Sequence, residues 1–187
     1  LDLSRIEAAA ELELIPVSLN AIAHDVCHDS EKAAGEKGVQ LNIDLVPDVW
    51  VMGDEDAIVQ VLTNLVDNGI RHVPEDCEVR IHAEYRDSRW CVFVEDNGPG
   101  IAVKYRSRIF ERFFRVDKGR SRAVGGTGLG LSIVRHLVES MGGDVGVGAS
   151  EMGGARFYFW LDDATEVTDI HPGALMDETR GTEETNS

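Results

Sequence analysis

Residues 60–72 read QVLTNLVDNGIRH. Ile58, Val61, Leu62 and Leu65 recur at helical spacing here and just ahead of it, so the stretch is a helix with one apolar face. Asn64, Asp67, Asn68 and Arg71 fall at spacings of three and four on an adjoining face. Asparagine is a poor helix former, and two of them in line at mid-helix need a reason beyond solvation. A carboxamide oxygen is a fair ligand for Mg²⁺, which keeps several waters and leans on substrate phosphates. Arg71, a turn later, would reach a phosphate. A solvated face with ordinary amide hydrogen bonds is the plainer alternative, and for an arbitrary helix the commoner one.

Working outward, Asp54 heads this helix as its N-cap, with Glu55 and Asp56 placed against the helix dipole. Upstream, Ser18 caps a helix running to about Lys37. Leu19, Ile22, Ala23 and Val26 form its stripe, and Gly38 stands where a C-terminal glycine belongs. Val39–Val46 alternates like a strand, and Trp50–Met52 reads as a short one. Residues 1–13 (LDLSRIEAAAELE) read as the end of a helix, with Leu3, Ile6 and Ala10 on one face and Pro16 closing the segment. Opening in mid-helix marks the chain as a fragment of a longer one, and a membrane anchor in the remainder is compatible with it.

Downstream, residues 78–85 (EVRIHAEY) and 89–95 (RWCVFVE) alternate strictly around Asp87-Ser88 and predict a β-hairpin. A long, glycine- and charge-rich segment follows from about 98 to 127, and loops of that length are usually functional. A third helix runs from about Leu129 to Met141, and strands at roughly 143–149 and 155–161 close the ordered part. From Asp162 the chain is acidic and aromatic-poor, and disorder is expected. The predicted fold is α+β: a two-layer sandwich with a mixed sheet of about five strands, backed by three helices and interrupted by one long loop.

The chain has 187 residues, 43% of them hydrophobic, which is enough for a core. Its net charge of −16 argues against a nucleic-acid or acidic-membrane surface. Cys27, Cys77 and Cys91 match no disulfide or metal spacing, which points to a reducing compartment. There is no signal peptide, and no apolar run approaches the roughly 18 residues of a membrane span.

Three further features carry chemistry. Asp96-Asn97-Gly98-Pro99-Gly100-Ile101 follows a strand directly. An aspartate there can accept from an exocyclic amine such as adenine's, and the glycines let a planar base approach the backbone. A plain turn is the alternative, since Asn-Gly and Pro-Gly are common turn dipeptides. Gly125-Gly126-Thr127-Gly128-Leu129-Gly130-Leu131 opens the third helix, and free N–H groups at a helix start make an anion site. It is neither a P-loop nor a dinucleotide fingerprint, and a flexible hinge would look the same. Residues 102–125 carry eight Lys/Arg against two Asp/Glu, in a chain that is otherwise strongly acidic. A basic loop beside an anion site suits a polyphosphate ligand, or equally a protein partner. Phe110, Phe113 and Phe114 are expected to pin that loop to the domain when it closes.

In order, these pieces resemble the Bergerat-type ATP-binding family, specifically the catalytic domain of sensor histidine kinases. QVLTNLVDNGIRH (60–72) looks like its N box and VEDNGPGI (94–101) like its G1 box. IFERFFRVDKGRSR (109–122) is similar to its F box and lid, GGTGLGLSIV (125–134) to its G2 box, and GGARFYFWL (153–161) to the closing strand element. LDLSRIEA at the start looks like the end of the family's dimerisation-domain helix. The lid is most similar to that of phosphate-sensing and related kinases. The resemblance covers roughly residues 1–161. It divides the chain into a dimerisation remnant (1–13), a catalytic ATP-binding domain (14–161) and an acidic tail (162–187).

The resemblance implies ATP and Mg²⁺ as ligands. Asn68 with Asn64 would bind Mg²⁺, and Arg71 and His72 would lie near the phosphates. Asp96 would read the adenine amino group, with Gly98, Gly100 and Ile101 shaping the pocket. Gly126, Thr127, Gly128, Leu129, Gly130 and Leu131 would line the triphosphate, and Arg115 would touch the γ-phosphate. Two positions depart from the family pattern. Gly69 stands where alanine is commoner, which would loosen the helix slightly, and Ala155-Arg156 replaces a hydroxyl-bearing pair that would support a water-mediated adenine contact.

The resemblance implies phosphoryl transfer to a histidine outside this chain. None of His24, His28, His72, His82, His136 or His171 has an acidic residue next and a nearby Arg/Pro, as the phosphoacceptor pattern requires. The implied partners are the dimerisation domain of the same kinase and a response regulator, with no nucleic acid and no direct membrane contact. The implied location is cytoplasmic, as the cytoplasmic part of a membrane-anchored sensor would be. ATP hydrolases of the superfamily carry a water-activating glutamate where this chain has Asn64, and an amide cannot take that proton. An anti-sigma-type serine kinase and a nucleotide-binding regulatory module without transfer activity are the rival readings.

Overall fold

The computed structural model describes residues 12–116 and 127–165. In chain order the elements are β1 (Ile15–Ser18), α1 (Leu19–Lys37), β2 (Gln40–Asp44), β3 (Trp50–Gly53), α2 (Glu55–His72), β4 (Glu78–Arg86) and β5 (Arg89–Asp96). They continue with α3 (Val103–Arg106), α4 (Gly130–Ser140), β6 (Val145–Ala149) and β7 (Ala155–Asp162). Five strands form one mixed sheet in the order β2-β4-β5-β7-β6, while β1 and β3 pair separately as a two-stranded ribbon. Only β2 and β4 run parallel; β4, β5, β7 and β6 are joined antiparallel.

Local chemistry sets the element ends. Ser18 Oγ accepts from Ala21 N at 3.3 Å and starts α1, and Gly38 ends it with φ of 68°. Asp54 Oδ1 accepts from Ala57 N at 2.9 Å to start α2. Asp87 and Ser88 both take positive φ, 52° and 59°, which is the two-residue turn that a right-twisted hairpin favours.

The three long helices cover one face of the sheet. Leu19 and Ile22 of α1, Ile58, Leu62 and Leu65 of α2, and Val134 and Val138 of α4 pack with Val79, Ile81, Val92, Val94, Phe157 and Phe159 in one core. Burying side chains of this size contributes roughly 1.5–3 kcal/mol each. Gly69 has a packing role: a Cβ there would stand 2.9 Å from Val79 Cγ2, so glycine lets α2 sit closer to β4 than alanine would. No described helix is long and apolar enough to cross a membrane.

Three findings differ from the sequence reading or extend it. Pro16 lies inside a strand, because β1 is a ribbon edge that pairs only with β3, where a missing N–H costs little. The helix expected over 1–13 falls mostly outside the described residues, and Leu12 and Glu13 are not helical. Packing continues past residue 161: Ala164 is buried, its N–H donates to Trp50 O at 3.1 Å, and Asp163 accepts from Trp90 Nε1 at 2.8 Å. Residues 166–187 lie outside the described part.

Candidate functional site

The site is assembled where the C-terminal half of α2, the end of β5 and the start of α4 meet. Helical phase puts Asn64 and Asn68 on the side of α2 that faces α4. Asn64 donates its Nδ2 to Gln60 O at 2.8 Å, which turns Oδ1 toward Gly130. A Cβ on Gly130 would stand 2.9 Å from that Oδ1, so glycine is what lets α4 come this close. Asn68 is half-buried, and its carboxamide makes no side-chain hydrogen bond among the described residues. Among those residues no cluster of three or more His, Cys, Asp or Glu is placed to hold a metal. A hard cation would therefore rest on carboxamide and phosphate oxygens.

Arg71 and His72 occupy the last turn of α2. Lys37, from the end of α1, donates Nζ to the carbonyls of Ile70 at 2.6 Å and Arg71 at 2.7 Å. It thus satisfies two of the carbonyls that a helix end leaves open. His72 reaches the surface, yet protein crowds its ring. Desolvation, then the charges of Arg71, Lys37 and Arg115, hold its pKa below the ordinary imidazole value, with Asp96 pulling the other way. That coupling places Arg115 and Asp96 in one electrostatic neighbourhood with the end of α2.

Asp96 is the last residue of β5 and only 8% exposed. Oδ1 accepts from Gly98 N at 2.8 Å and Ala155 N at 3.2 Å. No hydrogen bond from a described residue reaches Oδ2. Burial raises the pKa of Asp96, opposed by the N–H groups of Ala155 and Gly98. The surroundings are tight: a Cβ at Gly98 would meet Val73 Cγ1 at 2.9 Å. Gly100, at φ +69°, lies against the carbonyl of Gly154. Ile101 is half-buried against the core, and its carbonyl accepts from Arg106 Nε at 3.0 Å.

At the third corner, α4 begins without a side-chain cap. Its first N–H groups are therefore open to an anion. Gly128, at φ +71°, accepts from Phe113 N at 2.9 Å, which ties the glycine-rich loop to the basic loop. Leu129 O takes Ser132 Oγ at 2.8 Å, Leu131 is half-buried and Thr127 is exposed. Gly126 lies outside the described residues.

The basic loop divides its labour. Arg106 holds Ile101 O, while Arg108 pairs with Glu111 and lies 4.5 Å from the Phe114 ring centroid. Phe110 is buried edge-on to Phe157, and Phe114 is half-buried beside Tyr105. Phe113 differs from Phe110 and Phe114 in this structure. It is 68% exposed, because its positive φ of 62° turns the ring outward while its backbone bonds Gly128. Lys118, Arg120 and Arg122 lie outside the described residues.

The structure also gives Ala155-Arg156 its roles. The Ala155 backbone serves Asp96 directly, and the Arg156 side chain points to the opposite face, donating to Glu95 Oε2 at 3.0 Å. Sequence reading missed Glu95, Lys37 and Gly154. Glu95 could have been found from the hairpin register, which sets Arg80 beside it. A groove of about 650 Å³ between α1 and β2, lined in part by His24, His28, Leu41 and Ile43, contains none of the motif residues.

The chain is similar to known proteins over most of its described length. Residues 53–165 match the family model for histidine kinase-, DNA gyrase B- and HSP90-like ATPases. The sensor-like histidine kinase SenX3 of Mycolicibacterium smegmatis is 37% identical over 158 residues, covering 84% of this chain and 41% of that protein. This chain thus spans less than half of that relative. Among solved structures, full-length ShkA in complex with AMPPNP matches with a TM-score of 0.74 and 36% identity, covering 86% of this chain and 34% of that one. The nucleotide-free catalytic domain of the histidine kinase ThkA matches with a TM-score of 0.72 and 28% identity, covering 81% of this chain and 97% of that one.

Proposed function

The chain belongs to the histidine kinase-, DNA gyrase B- and HSP90-like ATPase family, and on that premise we propose that it is the catalytic domain of a sensor histidine kinase. It binds Mg·ATP and passes the γ-phosphate to a histidine on a dimerisation domain outside this chain, for relay to a response regulator. The observation that carries the reading is Asp96. This buried carboxylate has one oxygen fixed by two backbone N–H groups and the other left for a ligand donor. An adenine amino group is such a donor, and Gly98 and Gly100 remove the side chains that would block a planar base.

The remaining parts divide the nucleotide between them. Asn64 and Asn68 would hold Mg²⁺, and Arg71, His72 and Arg115 would meet the phosphates; their shared electrostatic neighbourhood supports that reading. The uncapped start of α4, with Gly126, Thr127, Gly128, Leu129, Gly130 and Leu131, would cradle the triphosphate. ATP supplies the phosphoryl group, and Mg²⁺ neutralises charge on the phosphate oxygens. The protein's task is then positioning and electrostatics. The acceptor imidazole is itself the nucleophile, so no local base is needed. Asn64 fits this, since an amide cannot deprotonate water.

The test is thermal unfolding with and without Mg·ATP, on the wild type and Asp96→Asn. Ligand at about 100 times Kd should add ~2.7 kcal/mol, a shift of roughly 5–10 °C at this chain length. The shift should vanish in Asp96→Asn. An unchanged shift in the variant would sink the adenine assignment. Rapid ATP hydrolysis by the isolated domain would instead assign it to the hydrolases.

A further inference from the structure

The sheet has a second face, turned away from the helices and from the nucleotide side. There β4, β5 and β7 align their side chains in rows across the strands. Arg80, Glu95 and Arg156 form one row; His82, Phe93 and Tyr158 form the next. The Glu95 side chain is fully shielded from solvent. Oε1 accepts from Arg80 Nη2 at 2.9 Å, and Oε2 accepts from Arg156 Nε at 3.0 Å and Ser150 Oγ at 2.8 Å. His82 Nε2 lies 2.7 Å from Oε1, without the alignment of a hydrogen bond. The Phe93 ring contacts the His82 ring at 4.6 Å and the Arg156 guanidinium at 5.0 Å.

Shielding a carboxylate is costly unless several donors meet it, and an apolar side chain would hold a sheet together at less cost. Burial pushes Glu95 up, but hydrogen bonds from Arg156, Ser150 and Arg80 overcome that and hold its carboxyl down at about 2. The carboxylate is thus held in its charged form by three donors, while Arg80 Nε and His82 Nε2 are buried without a hydrogen-bond partner among the described residues. Its place in the chain indicates what it serves. Glu95 and Asp96 are successive residues of one strand, so they project to opposite faces. Ala155 and Arg156 are likewise successive, one bonding Asp96 and the other Glu95.

The turn between β6 and β7 completes the connection. Ser150 N donates to Gly154 O at 2.9 Å, Gly153 N to Ser150 O at 3.0 Å, and Met152 N to Ser150 Oγ at 3.0 Å. These bonds tie residues 150–154 into one turn, and Ser150 Oγ fastens that turn to Glu95. On the other side of the sheet Gly154 presses on Asp96, where a Cβ would stand 2.1 Å from Oδ1.

We propose that Glu95 is a positioning residue for Asp96: its bonds to Arg156 and Ser150 seat the β6–β7 turn against the Asp96 carboxylate, fixing Oδ1 and aiming Oδ2 at the base. This rests on the assignment of Asp96 to the adenine amine. Base discrimination is thereby controlled from the far face of the sheet, by residues that never touch nucleotide.

The experiment compares ATP with purine riboside 5′-triphosphate, which lacks the exocyclic amine. Binding of each, with Mg²⁺, is measured calorimetrically on the wild type, Glu95→Gln, Arg156→Met and Asp96→Asn. The wild type should prefer ATP by at least about tenfold, since a site built to pair a ligand N–H penalises its absence. Glu95→Gln and Arg156→Met should bring that preference to within about threefold by weakening ATP, while affinity for the analogue holds. Arg156 is partly exposed, so Arg156→Met drops one donor without stranding two guanidinium groups and serves if Glu95→Gln does not fold. An intact preference, or equal loss of both ligands, would overturn the proposal and leave Glu95 as a support of the sheet alone. A wild type without preference, joined by an Asp96→Asn variant that still binds ATP normally, would remove the Asp96 assignment and the proposal with it.

Discussion

Glu95 and Asp96 share a peptide bond, yet the sheet shifts their carboxyl groups in opposite directions. Glu95 is held at about 2 against an ordinary 4.5, whereas Asp96 is raised by burial. The lowered group contributes stability that is fully present above pH ~4.5 and is lost as pH falls toward 2, because the unfolded chain binds the proton first. The contribution is about 3 kcal/mol. Denaturant unfolding between pH 5 and 2 should show a steep loss of stability in the wild type and a flatter one in Glu95→Gln. Parallel curves would mean that Glu95 does not titrate as the network implies.

Asp96 carries the opposite sign. A carboxyl whose pKa is raised in the fold costs stability once ionised, and that cost is relieved as pH falls through the folded value. Asp96→Asn should therefore unfold at higher temperature than the wild type at neutral pH without nucleotide, even as it loses the shift with Mg·ATP. A destabilised variant would show that charge on Asp96 is better compensated than its raised pKa indicates.

Lys37 closes the end of α2 from outside that helix. Lys37→Met keeps the stem but leaves Ile70 O and Arg71 O without their donor. The loss should be about 1–2 kcal/mol by urea denaturation. An effect within error would mean that water replaces the ammonium at no cost.

Two glycines of one hairpin make a matched pair. A Cβ on Gly154 would stand 2.1 Å from Asp96 Oδ1, 2.4 Å from Asp96 O and 2.6 Å from Gly98 N, whereas one on Gly148 meets nothing within 4 Å. Gly154→Ala should lower nucleotide affinity at least about tenfold, given how little displacement a positioned ligand tolerates. Gly148→Ala should leave that affinity unchanged. Titration of both with Mg·ATP decides it, and similar behaviour of the two would refute the close approach.

Legibility in the sequence followed the range of the interactions. Helix α2 and its amide face could be read because Ile58, Leu62, Leu65, Asn64 and Asn68 repeat within a few turns. The β4–β5 hairpin was equally plain from strict alternation around Asp87-Ser88. Strand β1 was hidden, because four residues containing Pro16 are too few to show a period. The outward turn of Phe113 depends on a backbone bond to Gly128, which no local pattern encodes. Glu95 escaped notice for a related reason: its donors come from β4, β7 and the β6–β7 turn, and only strand register brings them together.

The parallel pairing of β2 with β4 has a kinetic consequence. The hairpin of β4 and β5 closes across two residues, an event on the order of 1–10 μs. Strand β2 can join only after residues 45–77, which include all of α2, have folded back over the sheet, so loop closure delays it. Pulse-labelled hydrogen exchange should accordingly protect β4 and β5 before β2. The nucleotide site needs α2, the end of β5 and the start of α4 together, so it is complete only once these elements have packed. Nucleotide would recognise only the finished domain, so Mg·ATP should slow unfolding while leaving the refolding rate nearly untouched.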